Sequence, residues 1–129
     1  MFDPKLMECA NELVKGCREE TTDANLDKLY AENCISVEAA SEPGRPGPEF
    51  SGLAAIKEKH DYWNTSTQMH SLNVDGPFFH GGDKFSVIFD MDVTMKDDGQ
   101  RMQMREIGVY TAQNGQIVRE EFFFAMPQA

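Results

Sequence analysis

Cysteine is scarce in this chain of 129 residues: Cys9, Cys17 and Cys34 are the only three, with no Cys-x-x-Cys pair among them. A disulfide framework or a structural zinc site therefore has no basis, and a reducing cytoplasm is the expected setting. Positive charge is short as well. Lys and Arg number 12 against 22 Asp and Glu, a net charge of -10. A field of that sign repels phosphate backbones and anionic lipid, so neither nucleic acid nor a membrane is expected as a partner. No apolar run approaches the ~18 residues of a spanning helix, and the opening Met-Phe-Asp-Pro-Lys lacks the basic-then-apolar pattern of a secretory leader.

What is present is ordinary globular composition, 40% apolar and 26% charged, and the length suits one domain over residues 1–129. Asp3 can cap a first helix with Pro4 at its first position and Leu6, Ala10, Leu13 and Cys17 on one stripe. Thr22 or Asp23 can cap a second, with Leu26, Leu29 and Tyr30 facing inward and an end near Asn33. Ile35 and Val37 alternate against Ser36 and Glu38, which reads as an edge strand over Cys34–Ala39. Three prolines and two glycines in Glu42–Glu49 make a surface loop. Ser51 then caps a third helix carrying Leu53, Ile56, His60 and Trp63.

Beyond Met69 the period becomes two. Strands are expected over Met69–Val74, Pro77–His80, Lys84–Lys96, Gln100–Gln113 and Gln116–Ala125, with hairpin turns at Asp98-Gly99 and Asn114-Gly115. Helices followed by a meander give an α+β fold, with the three helices laid on one face of an antiparallel sheet. A two-residue turn at Asp98-Gly99 pairs Val93 with Met104, Asp92 with Arg105, Met91 with Glu106 and Phe89 with Gly108. A two-residue turn at Asn114-Gly115 pairs Tyr110 with Arg119 and Gly108 with Glu121. One face then collects Phe89, Met91 and Met104 around four polar tips: Glu106, Tyr110, Arg119 and Glu121. On the other face Ile107, Val109, Phe122 and Phe124 form an apolar patch that a homodimer would cover.

The order of elements resembles the nuclear-transport-factor-like cone fold, whose members include ketosteroid isomerases and SnoaL-like polyketide cyclases. The resemblance rests on Leu26–Asn33 leading into the first strand, on Ser51-Gly52-Leu53-Ala54-Ala55-Ile56 at the third helix start, and on Asn114-Gly115-Gln116-Ile117-Val118 in the last hairpin. It implies three helices packed on a strongly curved, mixed but mostly antiparallel sheet that forms a cone around an internal apolar cavity, commonly in a dimer. It also implies Glu38 where an isomerase of this family holds its carboxylate base, but Val14 where a tyrosine donor would stand. The stretch 105–111 has no aspartic acid for the second donor. That isomerase's oxyanion hole is absent as written.

The candidate catalytic groups are thus Glu38, His70, Glu106 and Tyr110. His70 alternates with Leu72 and Val74 and is expected to face the cavity as a base near neutral pH. Glu106, a carboxyl among methionines and phenylalanines, is expected to hold its proton unusually tightly. Trp63, Phe89, Met91, Met104, Arg119 and Glu121 are expected to line a site for a small apolar molecule. His60, His70 and His80 lie on different elements without metal-ligand spacing, so neither a metal nor a cofactor is expected. Two functions follow: a general acid-base isomerase, cyclase or dehydratase acting on a small carbonyl compound, or a non-catalytic ligand-binding or assembly module using the same fold.

Overall fold

The computed structural model describes residues 3–41 and 43–124. Glu42, at the start of the expected loop, and Ala125, at the expected end of the last strand, lie outside that range. Helix α1 (Pro4–Arg18) starts where Asp3 Oδ1 accepts the Lys5 N–H at 3.0 Å, and its apolar stripe buries Leu6, Cys9, Ala10, Leu13, Val14 and Cys17. Helix α2 (Thr22–Leu29) packs closely on it because Gly16 has no side chain: a Cβ there would sit 1.9 Å from Asn25 Nδ2. The second helix ends at Leu29, not near Asn33. Tyr30 is instead the first residue of strand β1 (Tyr30–Val37).

A short strand β2 (Glu49–Ser51) pairs antiparallel with β1, so β1 is not the expected edge strand. Ser51 belongs to β2, and Gly52 opens helix α3 (Leu53–Ser66) without a side-chain cap. Four long strands follow: β3 (Thr67–His80), β4 (Lys84–Met95), β5 (Arg101–Gln113) and β6 (Gln116–Phe124). The sheet order is β2-β1-β6-β5-β4-β3, antiparallel throughout except for the parallel β1–β6 pair. The three helices lie against one face of this six-stranded mixed sheet. The core between them holds Leu13, Val14, Leu26, Ile56, Phe85, Val87 and Ile117.

The expected alternation of faces on β4 and β5 holds, yet the partners differ. The loop between them closes through Met95 N–H to Gln100 O, making it longer than a two-residue turn. Phe89 therefore pairs with Glu106, Asp90 with Arg105, Met91 with Met104 and Val87 with Gly108. The slip is two residues, and an even slip leaves every side chain on its face. Asp92 accordingly binds Arg101 through two bonds of 3.0 and 2.8 Å, while Arg105 approaches Asp90 at 3.6 Å.

The β5–β6 hairpin corrects a larger expectation. Its Asn114-Gly115 turn is the two-residue kind, with φ of 52° and 78°, and Gln113 meets Gln116 as expected. Between Ala112–Ile117 and Thr111–Arg119, however, Val118 is left over as a bulge. A slip of one reverses the faces beyond it. Arg119 and Glu121 therefore point outward, where they pair with each other at 2.9 Å. Glu120 and Phe122 turn inward, and Phe124 stands opposite Glu106 on the inner face. The apolar patch on the outer face consequently loses Phe122 and Phe124. It retains Ile107 and Val109 and gains Phe123, which is 52% exposed beside Ile107 at 41%.

Candidate active site

Glu106 stands in the middle of β5, half-buried on the inner face between Phe89 and Phe124. It has no hydrogen-bond or ion-pair partner among the described residues. Burial raises its carboxyl to about 7, the Glu38 charge adds to the rise, Lys59 opposes it and Glu120 adds again. Two positions along, past Gly108, Tyr110 is 2% exposed, stacked on Phe85 at 5.0 Å and met edge-on by Phe122 at 6.1 Å. Burial, reinforced by the Glu120 charge, pushes the Tyr110 hydroxyl well above its ordinary range, so it is a neutral donor at any physiological pH. Its ring lies across Gly108, where a Cβ would fall 2.8 Å from a ring carbon.

The structure also assembles a network around two residues that the sequence pattern did not single out. Glu120 is fully buried and accepts hydrogen bonds from the Tyr30 hydroxyl and, at 2.6 Å, from Ser36 Oγ. Lys59 reaches in from α3. Its Nζ donates to Ser36 Oγ at 2.6 Å and to Glu120 Oε2 at 3.4 Å, and forms an ion pair with Glu38 Oε1 at 2.7 Å. The ammonium also lies 4.8 Å from the Phe122 ring centroid and 5.6 Å from that of Phe50. Lys59 sits three positions after buried Ile56, so helical spacing places it beside the inner stripe. Glu120 gave no comparable signal, because alternation from Ile117 points it outward unless a bulge intervenes.

Of the other expected site residues, Phe89 is buried, Met91 and Met104 face each other half-buried on the inner side, and Trp63 is half-buried at the end of α3. There the Trp63 carbonyl accepts from Thr67 Oγ1 at 2.6 Å. His70 is not inward-facing. A bulge between Met69 and Ser71 sets it on the exposed side, with Nε2 2.7 Å from Thr94 Oγ1. His60 is half-buried on α3, where desolvation lowers its proton affinity. The thiols of Cys9, Cys17 and Cys34 are buried and pushed up to about 11, 12 and 12, chiefly by burial, which leaves them poor nucleophiles. No group of three or more His, Cys, Asp or Glu among the described residues is placed to hold a metal ion.

Glu106 lines neither of two surface depressions. One of about 410 Å³ borders Met91, Met104, Asp90, Asp92 and Arg105, and one of about 310 Å³ lies between Asp3, Leu6 and the Asn114-Gly115 turn.

Three helices packed on a six-stranded mixed sheet, with carboxyls, a hydroxyl and an ammonium on its inner side, make up the NTF2-like cone fold. A family model for the SnoaL-like domain matches residues 6–124, and the chain belongs to that family. No curated protein matches the chain. Among solved structures, it resembles a candidate SnoaL-like polyketide cyclase of Mesorhizobium loti at 30% identity and TM-score 0.84, over 92% of this chain and 97% of that one. A candidate isomerase of Bacillus subtilis shares the fold at 19% identity and TM-score 0.71, over 94% and 86% of the two chains. So does an NTF2-like protein of unknown function from Burkholderia pseudomallei, at 19% identity and TM-score 0.75, over 95% and 92%.

Proposed function

We propose that the protein is a general acid-base catalyst for a small, mostly apolar carbonyl compound, bound within the cone between α3 and the inner face of the sheet. One observation carries this reading: Glu106 is a half-buried carboxyl on the inner face, without a partner among the described residues, and burial raises its pKa to about 7. A proton-transfer group works best when its pKa lies near the working pH. Two carboxyls in contrasting surroundings divide the roles. Glu38, ion-paired with Lys59, accepts the proton from the carbon next to the carbonyl. The C–H electron pair moves into a carbon–carbon double bond, and the carbonyl oxygen takes the proton of Glu106. Returning a proton to a different carbon isomerises the compound, and attack of the enol carbon on a second carbonyl closes a ring. Tyr110 supplies a second neutral donor. These groups stand in for the tyrosine and aspartic acid missing at Val14 and in the stretch 105–111. Support also comes from the likeness to a candidate cyclase at 30% identity.

The outer face supports a homodimer through Ile107, Val109 and Phe123, and the buried thiols suit a reducing cytoplasm. A second reading, a ligand-binding or assembly module without chemistry, draws on the close packing of Phe85, Tyr110 and Phe122, which fills part of the interior. Solvent-deuterium exchange at the carbons flanking the carbonyl in a panel of small apolar ketones separates the two. The catalytic reading expects exchange faster than in buffer, reduced about a hundredfold or more by Glu106→Gln. Exchange at the buffer rate across the panel leaves the module.

A further inference from the structure

Glu120 is a charge placed where charge is costly. A fully buried carboxylate loses its hydration, and a well-packed apolar pair in its place is often no less stable. The β6 bulge nevertheless turns it inward, directly opposite Ser36 of β1 and Tyr110 of β5. Its oxygens are divided between two tasks: Oε1 takes the Tyr30 hydroxyl, and Oε2 takes Ser36 Oγ and the Lys59 ammonium. Ser36 in turn accepts from Lys59, so one hydroxyl ties the carboxylate to the ammonium. Two of the three polar contacts described for the Lys59 ammonium come from this buried pair, and the third is Glu38. The Lys59 side chain is 12% exposed although it springs from a helix with a wet outer face. A long, flexible lysine stays in such a place only when held there.

We propose that Glu120 is a positioning residue: with Ser36 and Tyr30 it anchors the Lys59 ammonium against Glu38 and so fixes the proton-accepting carboxylate on the cone wall. The clamp joins α3, β1 and β6, and its catalytic consequence rests on the role assigned above to Glu38. The anchoring itself does not. Without Glu120, Lys59 loses its buried carboxylate partner and is expected to turn toward solvent, which deprives Glu38 of a fixed partner.

The test is made on the full chain with 15N-labelled lysine. In the native protein the Lys59 Nζ–H signal is expected to persist at neutral pH, and acetylation by an N-hydroxysuccinimide ester to be at least tenfold slower at Lys59 than at Lys84, whose side chain is 42% exposed. In Glu120→Gln the signal is expected to vanish and the two rates to converge. Ser36→Ala removes one tether and no charge. It is expected to give an intermediate acetylation rate, and it carries the test alone if Glu120→Gln does not fold. A purely structural role would lower the melting temperature while leaving Lys59 protected, and that result overturns the proposal. So does a native Lys59 that reacts as fast as Lys84. Failure of ketone exchange with Lys59 still locked sinks only the catalytic reading, whereas a free Lys59 sinks this one.

Discussion

Glu106 links stability to the proposed chemistry in one side chain. Its carboxyl is raised by burial from 4.5 to about 7, so the native state binds the proton more tightly than the unfolded chain does. The stabilisation is complete below pH 4.5 and is lost as pH rises through 7, a change on the order of 3 kcal/mol. Glu106→Gln removes this loss. Urea denaturation at pH 5 and pH 8 is expected to show the native protein weakening between the two while the variant does not. Activity has the same sign: if Glu106 donates its proton, turnover falls as pH rises through 7. Gly108 makes a second prediction at this scale. Gly108→Ala drives a methyl group into the Tyr110 ring, which Phe85 and Phe122 keep from moving aside, and is expected to cost about 1 to 3 kcal/mol in urea denaturation.

Elements were legible wherever the spacing of apolar residues repeats without interruption. The α1 stripe, the β4–β5 faces and the Asn114-Gly115 turn can all be read from residue order, and an error of two in the Asp98-Gly99 hairpin was harmless because it preserves parity. Bulges were not legible. The extra residue in β3 moved His70 outward, and the one in β6 exchanged Arg119 and Glu121 for Glu120. Nothing in the local sequence announces either bulge, since what decides each register is the partner strand. On β6 the observed register gives Glu120 its bonds to Tyr30 and Ser36 and buries Phe122 against Tyr110. Lys59 escaped notice for another reason, because a lysine on a helix is ordinarily a solvated surface group. Deleting Val118 removes the extra residue and leaves Arg119 opposite Thr111 and Glu120 opposite Tyr110, so every later side chain keeps its face. Cooperative thermal unfolding like that of the native protein is the expected result, and its loss would show that the bulge itself is required.

At the scale of the molecule, the inner carboxyls and the outer apolar patch occupy opposite sides of one sheet, and β5 contributes to both through alternate residues. Ile107 and Glu106 are neighbours facing opposite ways. If the outer face pairs with a second copy, Phe123→Lys is expected to yield a monomer in light scattering without disturbing the Glu106 titration. An unchanged mass places the contact elsewhere. The most direct measurement of the whole account is a carboxyl-carbon NMR titration of Glu106 in the full protein, with and without a small apolar ketone. A midpoint near 7 that moves when the ketone binds is expected. A midpoint near 4.5, unmoved by any ketone, contradicts it.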